Sequence, residues 1–126
     1  MPTITLNLTL LFNQRIDDLG GNWQYAAANA VDPAAPGRTV QLIATKRENQ
    51  NCNNSFPVSM LTATVIFPPQ SAGGVAENMT LQGVHDLKTN DESGSVSAAS
   101  PEFASFIGGP FSFAAATGTL TISTPG

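Results

Sequence analysis

A strict alternation of apolar and polar residues near the N-terminus constrains the fold of this chain more than any other feature. Apolar side chains occupy positions 4, 6, 8, 10 and 12, and threonine or asparagine occupies positions 3, 5, 7 and 9. A period of two places alternate side chains on opposite faces of a β-strand, so this segment predicts a strand with one buried face. No segment shows the sustained period of 3.6 residues that an amphipathic helix requires.

Similar strand patterns recur along the chain and predict about eight strands in one domain, residues 1–126. The predicted strands are Thr3–Leu10, Asn22–Ala27, Thr39–Thr45, Met60–Phe67, Asn78–His85, Ser93–Ser100, Phe111–Ala115 and Thr119–Ile122. Met60–Phe67 is predicted to be the most buried, because apolar residues occupy both of its faces. One helical turn is expected at Ser100–Phe103, where serine can cap and proline can take the first position. Eight antiparallel strands form either a sandwich or a barrel, and such a barrel has room for side chains or one small ligand.

Composition excludes several classes of partner. Charged residues make up only 11% of the chain, well under the usual share of about 25%. The net charge is −4, and the basic residues do not cluster beyond Lys46-Arg47. A surface for nucleic acid is therefore not expected. No apolar run is long enough to span a bilayer, so no membrane partner is expected either.

Cysteine and histidine usage limits the possible metal chemistry. Cys52 is the only cysteine and His85 the only histidine, so we expect neither a disulfide nor a metal site built from these residue types. No cofactor-binding motif is evident. Met1-Pro2-Thr3 leads directly into the first strand without a signal-peptide pattern, which predicts a cytoplasmic protein, or a secreted one if a leader was removed.

Three stretches of the chain resemble the allene oxide cyclase and dirigent barrel superfamily. They are L-L-F-N-Q-R at Leu10–Arg15, the strand-ending L-Q-G at Leu81–Gly83, and the strand, small-residue turn, aromatic and glycine pair within Val96–Phe113. Together they comprise 27 of the 126 residues. The resemblance implies an all-β fold, a single eight-stranded antiparallel barrel of calycin-like type. It also implies an apolar interior pocket and a homo-oligomer, either a dimer or a trimer.

The chain also departs from that family. In the first-strand motif Asn13 is retained, but the position of the catalytic glutamate is taken by Leu11. Cys52 lies in a polar loop, whereas the family cysteine lies on the third strand. The plant cyclase activity is therefore not carried over. Bacterial relatives in the superfamily cyclise polyenes and plant dirigent proteins steer radical coupling, so the resemblance implies a scaffold for chemistry on apolar molecules.

Three polar residues are candidate catalytic groups. His85, followed by Asp86, can act as a base or proton donor at the barrel mouth, since imidazole exchanges protons near neutral pH. The alternative for His85 is a solvated strand end that enters the loop. Asn13 can orient a carbonyl or a water if the family register holds; otherwise it is a turn residue at a strand end. Tyr25 can contribute a hydroxyl to a ligand pocket.

Aromatic residues are the candidate walls of that pocket. Trp23 lies two residues from Tyr25, so a strand directs both to the same face. Phe111 and Phe113 share a face in the same way near the C-terminus. Ligand contact is one interpretation of these aromatics. Packing in the core is the other, and for Trp23 and Tyr25 also packing between subunits.

Three functional hypotheses follow. The first is an isomerase or cyclase without metal or cofactor, which acts on an apolar small molecule such as a polyene, an epoxide or a natural-product intermediate. It would work mainly by holding a reactive conformer in a dry pocket. The second is a non-catalytic barrel that binds a small molecule or lipid. The third is a structural β protein buried in an oligomer. A barrel filled by Phe, Leu and Val side chains would argue against the first two.

Overall fold

The structure, a computed structural model, describes residues 3–8, 14–16, 23–32, 35–47, 58–69, 73–86, 89 and 91–126. These residues contain nine strand segments and one 3-10 helix, Pro101–Phe106. The strands are β1 (Thr3–Asn7), β2 (Gln14–Ile16), β3 (Trp23–Asp32), β4 (Ala35–Arg47), β5 (Val58–Phe67), β6 (Glu77–Asp86), β7 (Glu92–Ala99), β8 (Pro110–Ala114) and β9 (Thr119–Ser123). No helix in this part of the chain is long and apolar enough to cross a membrane.

The strands form one antiparallel sheet that curls into a nearly closed barrel. Their order is β1-β9-β8-β7-β6-β5-β4-β3-β2, so each strand from β3 to β9 pairs with its neighbours in the sequence. The two ends of the sheet meet, because β1 lies beside β3. With β1 and β2 taken as two parts of the N-terminal strand, the barrel has eight strands. The predicted all-β, eight-stranded antiparallel barrel is therefore confirmed.

The middle of the barrel is packed with apolar side chains. Where side chains are described, alternate residues of the strands point inward, and Val40, Val65, Met79 and Ile122 each have 0% of their surface exposed. A side chain with no exposed surface has no neighbouring void that admits a water molecule, so this level of the interior is solid. Its packing is of the kind that stabilises a fold rather than the kind that holds a ligand.

One end of the barrel is closed by the 3-10 helix, and we call it the capped end. The ring of Phe103 lies over Phe67, the last residue of β5, with 4.5 Å between the ring centroids. Phe106 is buried and lies 6.1 Å from Phe103, measured between centroids, in an edge-on arrangement. Such aromatic pairs add to the stability gained from burial alone. The helical turn expected at Ser100–Phe103 is present and extends to Phe106, with a kink at Phe103, and its aromatic rings form a plug at this end.

Two local predictions are corrected by the structure. β5 is buried on one face only: Leu61 and Val65 are buried, whereas Met60 on the other face is 73% exposed. No helical layer covers that outer face among the described residues, so the apolar character of both faces does not mean double burial. Pro33 and Pro36 predict a loop across residues 32–37, but the connection is narrower, because Asp32 pairs directly with Ala35 beside a bulge in β3.

A glycine pair brings β6 and β7 unusually close together. Gly83 and Gly94 lie opposite each other in the two strands. A Cβ atom on Gly94 would collide with the carbonyl oxygen of Gln82 and would lie 2.8 Å from Cε1 of Phe111. The ring of Phe111 therefore occupies the space that a side chain at position 94 would need. β6 does not end at Gly83, as in the family motif it resembles, but continues to Asp86, within one residue of the predicted end at His85.

Candidate functional site

A histidine and a glutamate meet inside the barrel at the end opposite the cap. His85, near the end of β6, lies directly across from Glu92, the first residue of β7. The distance from His85 Nδ1 to Glu92 Oε2 is 2.9 Å. His85 is 2% exposed and Glu92 is 4% exposed, so both side chains are withdrawn from water. We refer to them as the His85–Glu92 pair, and to this end of the barrel as the His85 end.

The pair is unusual for its surroundings, which are mainly apolar. Burying a carboxylate is costly unless it is paired and hydrogen-bonded. A carboxylate can only accept, so with Glu92 ionised the Nδ1–H of His85 is the donor, at a distance typical of a charge-assisted hydrogen bond. Two other buried polar residues are described, Asp32 and Thr124, and they lie away from the pair, at the ends of β3 and β9 nearer the cap. The His85 end therefore carries an ionisable pair that the packing of the core does not require.

The register of the sheet defines what surrounds the pair. Phe113 in β8 lies directly opposite Glu92, and Leu120 in β9 lies opposite Phe113. Both are buried, so an apolar wall continues around the barrel from the carboxylate. On the other side, the backbone of Ser59 in β5 pairs with that of His85. The pair is thus built on rigid strands rather than on loops.

The structure changes the interpretation of His85 itself. The solvated strand end considered from the sequence is wrong, since the side chain is buried. Its carboxylate partner is Glu92, which the sequence patterns left unassigned near a loop, whereas Asp86 lies on the opposite face of β6. The local sequence carries one usable signal. If Gly83 is taken to pair with Gly94, counting two residues outward along each strand brings His85 opposite Glu92.

The structure describes the other predicted site residues to different extents. Phe111 and Phe113 are buried in the core, and Phe113 is next to the pair in register. Trp23 and Tyr25 lie two residues apart in β3, but their side chains are outside the described part of the structure. Asn13 lies outside the described residues altogether. The structure thus brings one predicted catalytic residue and one predicted wall residue to the same place.

An open groove of about 450 Å³ lies on the outer face of the sheet at the same end. Val84, Ser93 and Ser112, exposed neighbours on three strands, form part of its floor. Beside it, the carboxylate of Asp91 accepts a hydrogen bond of 2.9 Å from the N–H of Ala115. Glu92 and Phe113 also contribute to the lining of this groove, whereas His85 does not, so the groove adjoins the start of β7 next to the His85–Glu92 pair.

Comparison with known proteins found no matching family model, no similar curated protein and no similar solved structure. Among the described residues, no group of three or more His, Cys, Asp or Glu side chains is arranged to hold a metal ion. Interpretation of the site therefore depends on its own geometry.

Proposed function

We propose that this protein binds a small apolar molecule at the His85 end of its barrel and isomerises or cyclises it. The observation that carries the proposal is the buried His85–Glu92 pair, 2.9 Å apart, on the inner face of a barrel whose described interior is mainly apolar. An ionisable pair in such a place lowers stability relative to apolar packing. Its presence therefore favours a chemical role over a structural one.

The proposed mechanism combines enclosure with proton transfer. A dry apolar wall that includes Phe113 holds the substrate in a reactive conformation and keeps water from intermediates. His85 then donates or accepts the proton that the rearrangement requires, a role that contributes roughly 10²- to 10⁴-fold in rate. These steps use no metal and no cofactor. The resemblance to the allene oxide cyclase and dirigent barrels is consistent with this type of chemistry.

The packed middle of the barrel limits the size of the substrate. Residues such as Val65 and Met79 admit no ligand beside them, and the aromatic plug closes the opposite end. The reacting part of the substrate would therefore have to enter the His85 end, where His85, Glu92 and Phe113 are 2%, 4% and 6% exposed, so side chains there would have to move to admit it. This limit also supports the alternative of a non-catalytic binding barrel, in which the same end holds a small ligand or one end of a lipid.

Replacement of His85 by glutamine distinguishes the hypothesis of an isomerase or cyclase from that of a non-catalytic binding barrel. The glutamine amide can still donate to Glu92, so we expect His85→Gln to fold and to bind Nile red as the wild type does. We expect its turnover of a library of polyenes and terpenoid epoxides, followed by gas chromatography and mass spectrometry, to fall by about 10²-fold or more. Asp86→Asn, on the opposite face of β6, is the control and should retain activity. Measurable and equal turnover by the wild type and His85→Gln would contradict the catalytic proposal. No turnover by either protein would favour the non-catalytic binding barrel.

A third candidate, a structural protein buried in an oligomer, is favoured by the outer face of the sheet. Met60 and Val84 are direct cross-strand neighbours there and are 73% and 42% exposed. Adjacent exposed apolar side chains are typical of contacts between subunits. In the predicted homo-oligomer, a second copy of the chain would cover this surface.

We expect light scattering to report a dimer or trimer, and Met60→Gln to shift the protein towards monomer at the same concentration. Val75→Gln is the matched control, because Val75 is equally exposed but lies outside the strands. A wild-type monomer at all concentrations, or an equal effect of the two substitutions, would contradict an interface at Met60.

A further inference from the structure

A buried carboxylate contributes to the open groove at the His85 end. Glu92 lines the groove, yet only 4% of its surface is exposed. Its Oε2 accepts a hydrogen bond from Nδ1 of His85, and its side chain makes no second hydrogen bond or ion pair within the part of the chain that the structure describes. The other carboxylate oxygen, Oε1, is therefore left without a partner there. A buried carboxylate is stabilised by each further donor, and the groove is the side from which a ligand can supply one.

The neighbouring carboxylate is engaged in the same partial way. Asp91 also lines the groove, and its Oδ1 accepts a hydrogen bond of 2.9 Å from the N–H of Ala115. Among the described residues the side chain of Asp91 has no other hydrogen bond, so its Oδ2 has no partner. Asp86, at the end of β6, adds a third carboxylate to the lining. Two carboxylates that are each held through one oxygen, with the second oxygen unengaged, thus adjoin the same groove.

The rest of the lining suits a small organic molecule. Val84 and Phe113 supply apolar surface, and Ser93 and Ser112 supply hydroxyl groups that can donate or accept a hydrogen bond. No Lys, Arg or His is among the described residues of the lining. The volume of about 450 Å³ is typical of sites that bind small ligands. The groove therefore combines negative charge with an apolar surface.

We infer that this groove binds a small organic cation, namely a primary amine in its protonated form with an apolar body. An ammonium group has three N–H donors and no acceptor, which matches the unengaged oxygens of Glu92 and Asp91 together with a serine hydroxyl. The described carboxylates are not arranged to hold a metal ion, which favours an organic cation over a metal. The net charge of −4 disfavours anionic ligands. His85 takes part only by holding Oε2 of Glu92, so the site does not depend on the reaction proposed for the barrel interior.

Binding can be measured with benzylammonium chloride, for which benzyl alcohol and benzoate are controls of similar shape. We expect benzylammonium to shift the amide resonances of Asp91, Ser93 and Ser112 in ¹H–¹⁵N spectra of the full chain, and the shifts to saturate. Benzyl alcohol, which lacks the charge, should bind at least about 10-fold more weakly. Benzoate should cause no shift. The affinity for benzylammonium should fall as salt is added, because salt screens the attraction between charges.

Neutral replacements of similar shape test the carboxylates. An asparagine at position 91 can still accept from the N–H of Ala115, and a glutamine at position 92 can still accept from Nδ1 of His85, so we expect both variants to fold. Asp91→Asn and Glu92→Gln should each weaken the binding of benzylammonium by about 10-fold. Glu102→Gln is the matched control: it removes the same charge at the capped end, outside the groove, and should bind as the wild type does. Circular dichroism checks that each variant is folded.

The outcomes that would overturn the site are distinct. The sequence between β6 and β7 contains one lysine, Lys88, which lies outside the described residues. Binding of benzylammonium by Lys88→Gln but not by the wild type would mean that the chain supplies its own ammonium, and would overturn a ligand site in the native protein. Equal affinities for benzylammonium and benzyl alcohol, or equal losses in Asp91→Asn and Glu102→Gln, would overturn recognition of the cation by these carboxylates. Shifts produced by calcium chloride but not by benzylammonium would overturn the organic class of ligand.

Discussion

Replacing Gly94 with alanine is expected to lower the free energy of unfolding by about 3 kcal/mol, near the upper end of what overpacking a core costs. A Cβ at this position would collide with the Gln82 carbonyl and lie 2.5 Å from Cα of Gly83 and 2.8 Å from the Phe111 ring. Two of these contacts are with the backbone of a paired strand, which cannot move without breaking the ladder. The strain must therefore be relieved by separating β6 from β7.

Chemical denaturation followed by circular dichroism measures this effect. Gly37→Ala is the matched control, because a Cβ on Gly37 would have no atom within 4 Å. Its stability should stay within about 0.5 kcal/mol of the wild type. Equal midpoints for Gly94→Ala and Gly37→Ala would show that the two strands are not as close as described. Gly94 lies two residues from Glu92 in β7. Separation of β6 from β7 at Gly94 is therefore also expected to disturb the His85–Glu92 pair.

Sequence patterns predicted the strands well where burial is set by local alternation. β1, β8 and β9 follow the predicted segments within one or two residues in the described part of the chain. The pattern was misleading for β5, where Met60 is apolar but exposed. Hydrophobic periodicity reports which residues are apolar; it does not report whether a second layer covers the outer face of a sheet. That depends on the whole architecture or on a partner.

Of the two residues in the His85–Glu92 pair, only His85 could be predicted from the sequence, because the position of Glu92 also depends on the whole architecture. His85 was identified from its residue type, but its partner depends on the register between β6 and β7. Register is set by pairing across a loop, here with the Gly83 and Gly94 pair at its centre and a bulge further along. A shift of one residue would have turned Glu92 to the outer face. Only the assumption that Gly83 pairs with Gly94 distinguishes these two outcomes, and no pattern around Glu92 itself does so.

Breaking the His85–Glu92 pair is expected to have the largest effect on stability, and the two single changes should differ. His85→Leu leaves a carboxylate buried without the imidazole that donates to it, which should cost roughly 3–5 kcal/mol. Glu92→Met leaves an imidazole that can stay neutral, so the loss should be only about 1–3 kcal/mol. The asymmetry follows from the greater cost of burying a charge than of burying a neutral polar group.

The double variant, His85→Leu with Glu92→Met, is the decisive comparison. Both partners are then apolar and of similar volume, so we expect stability within about 1 kcal/mol of the wild type, or above it. A double-mutant cycle from urea unfolding should therefore give a large favourable coupling between the two residues. If the single effects simply add, the pair is not coupled and its 2.9 Å contact has little energetic meaning. A double variant that is as stable as the wild type but catalytically inactive would mean that the pair is retained for chemistry, since apolar packing would serve the fold equally well.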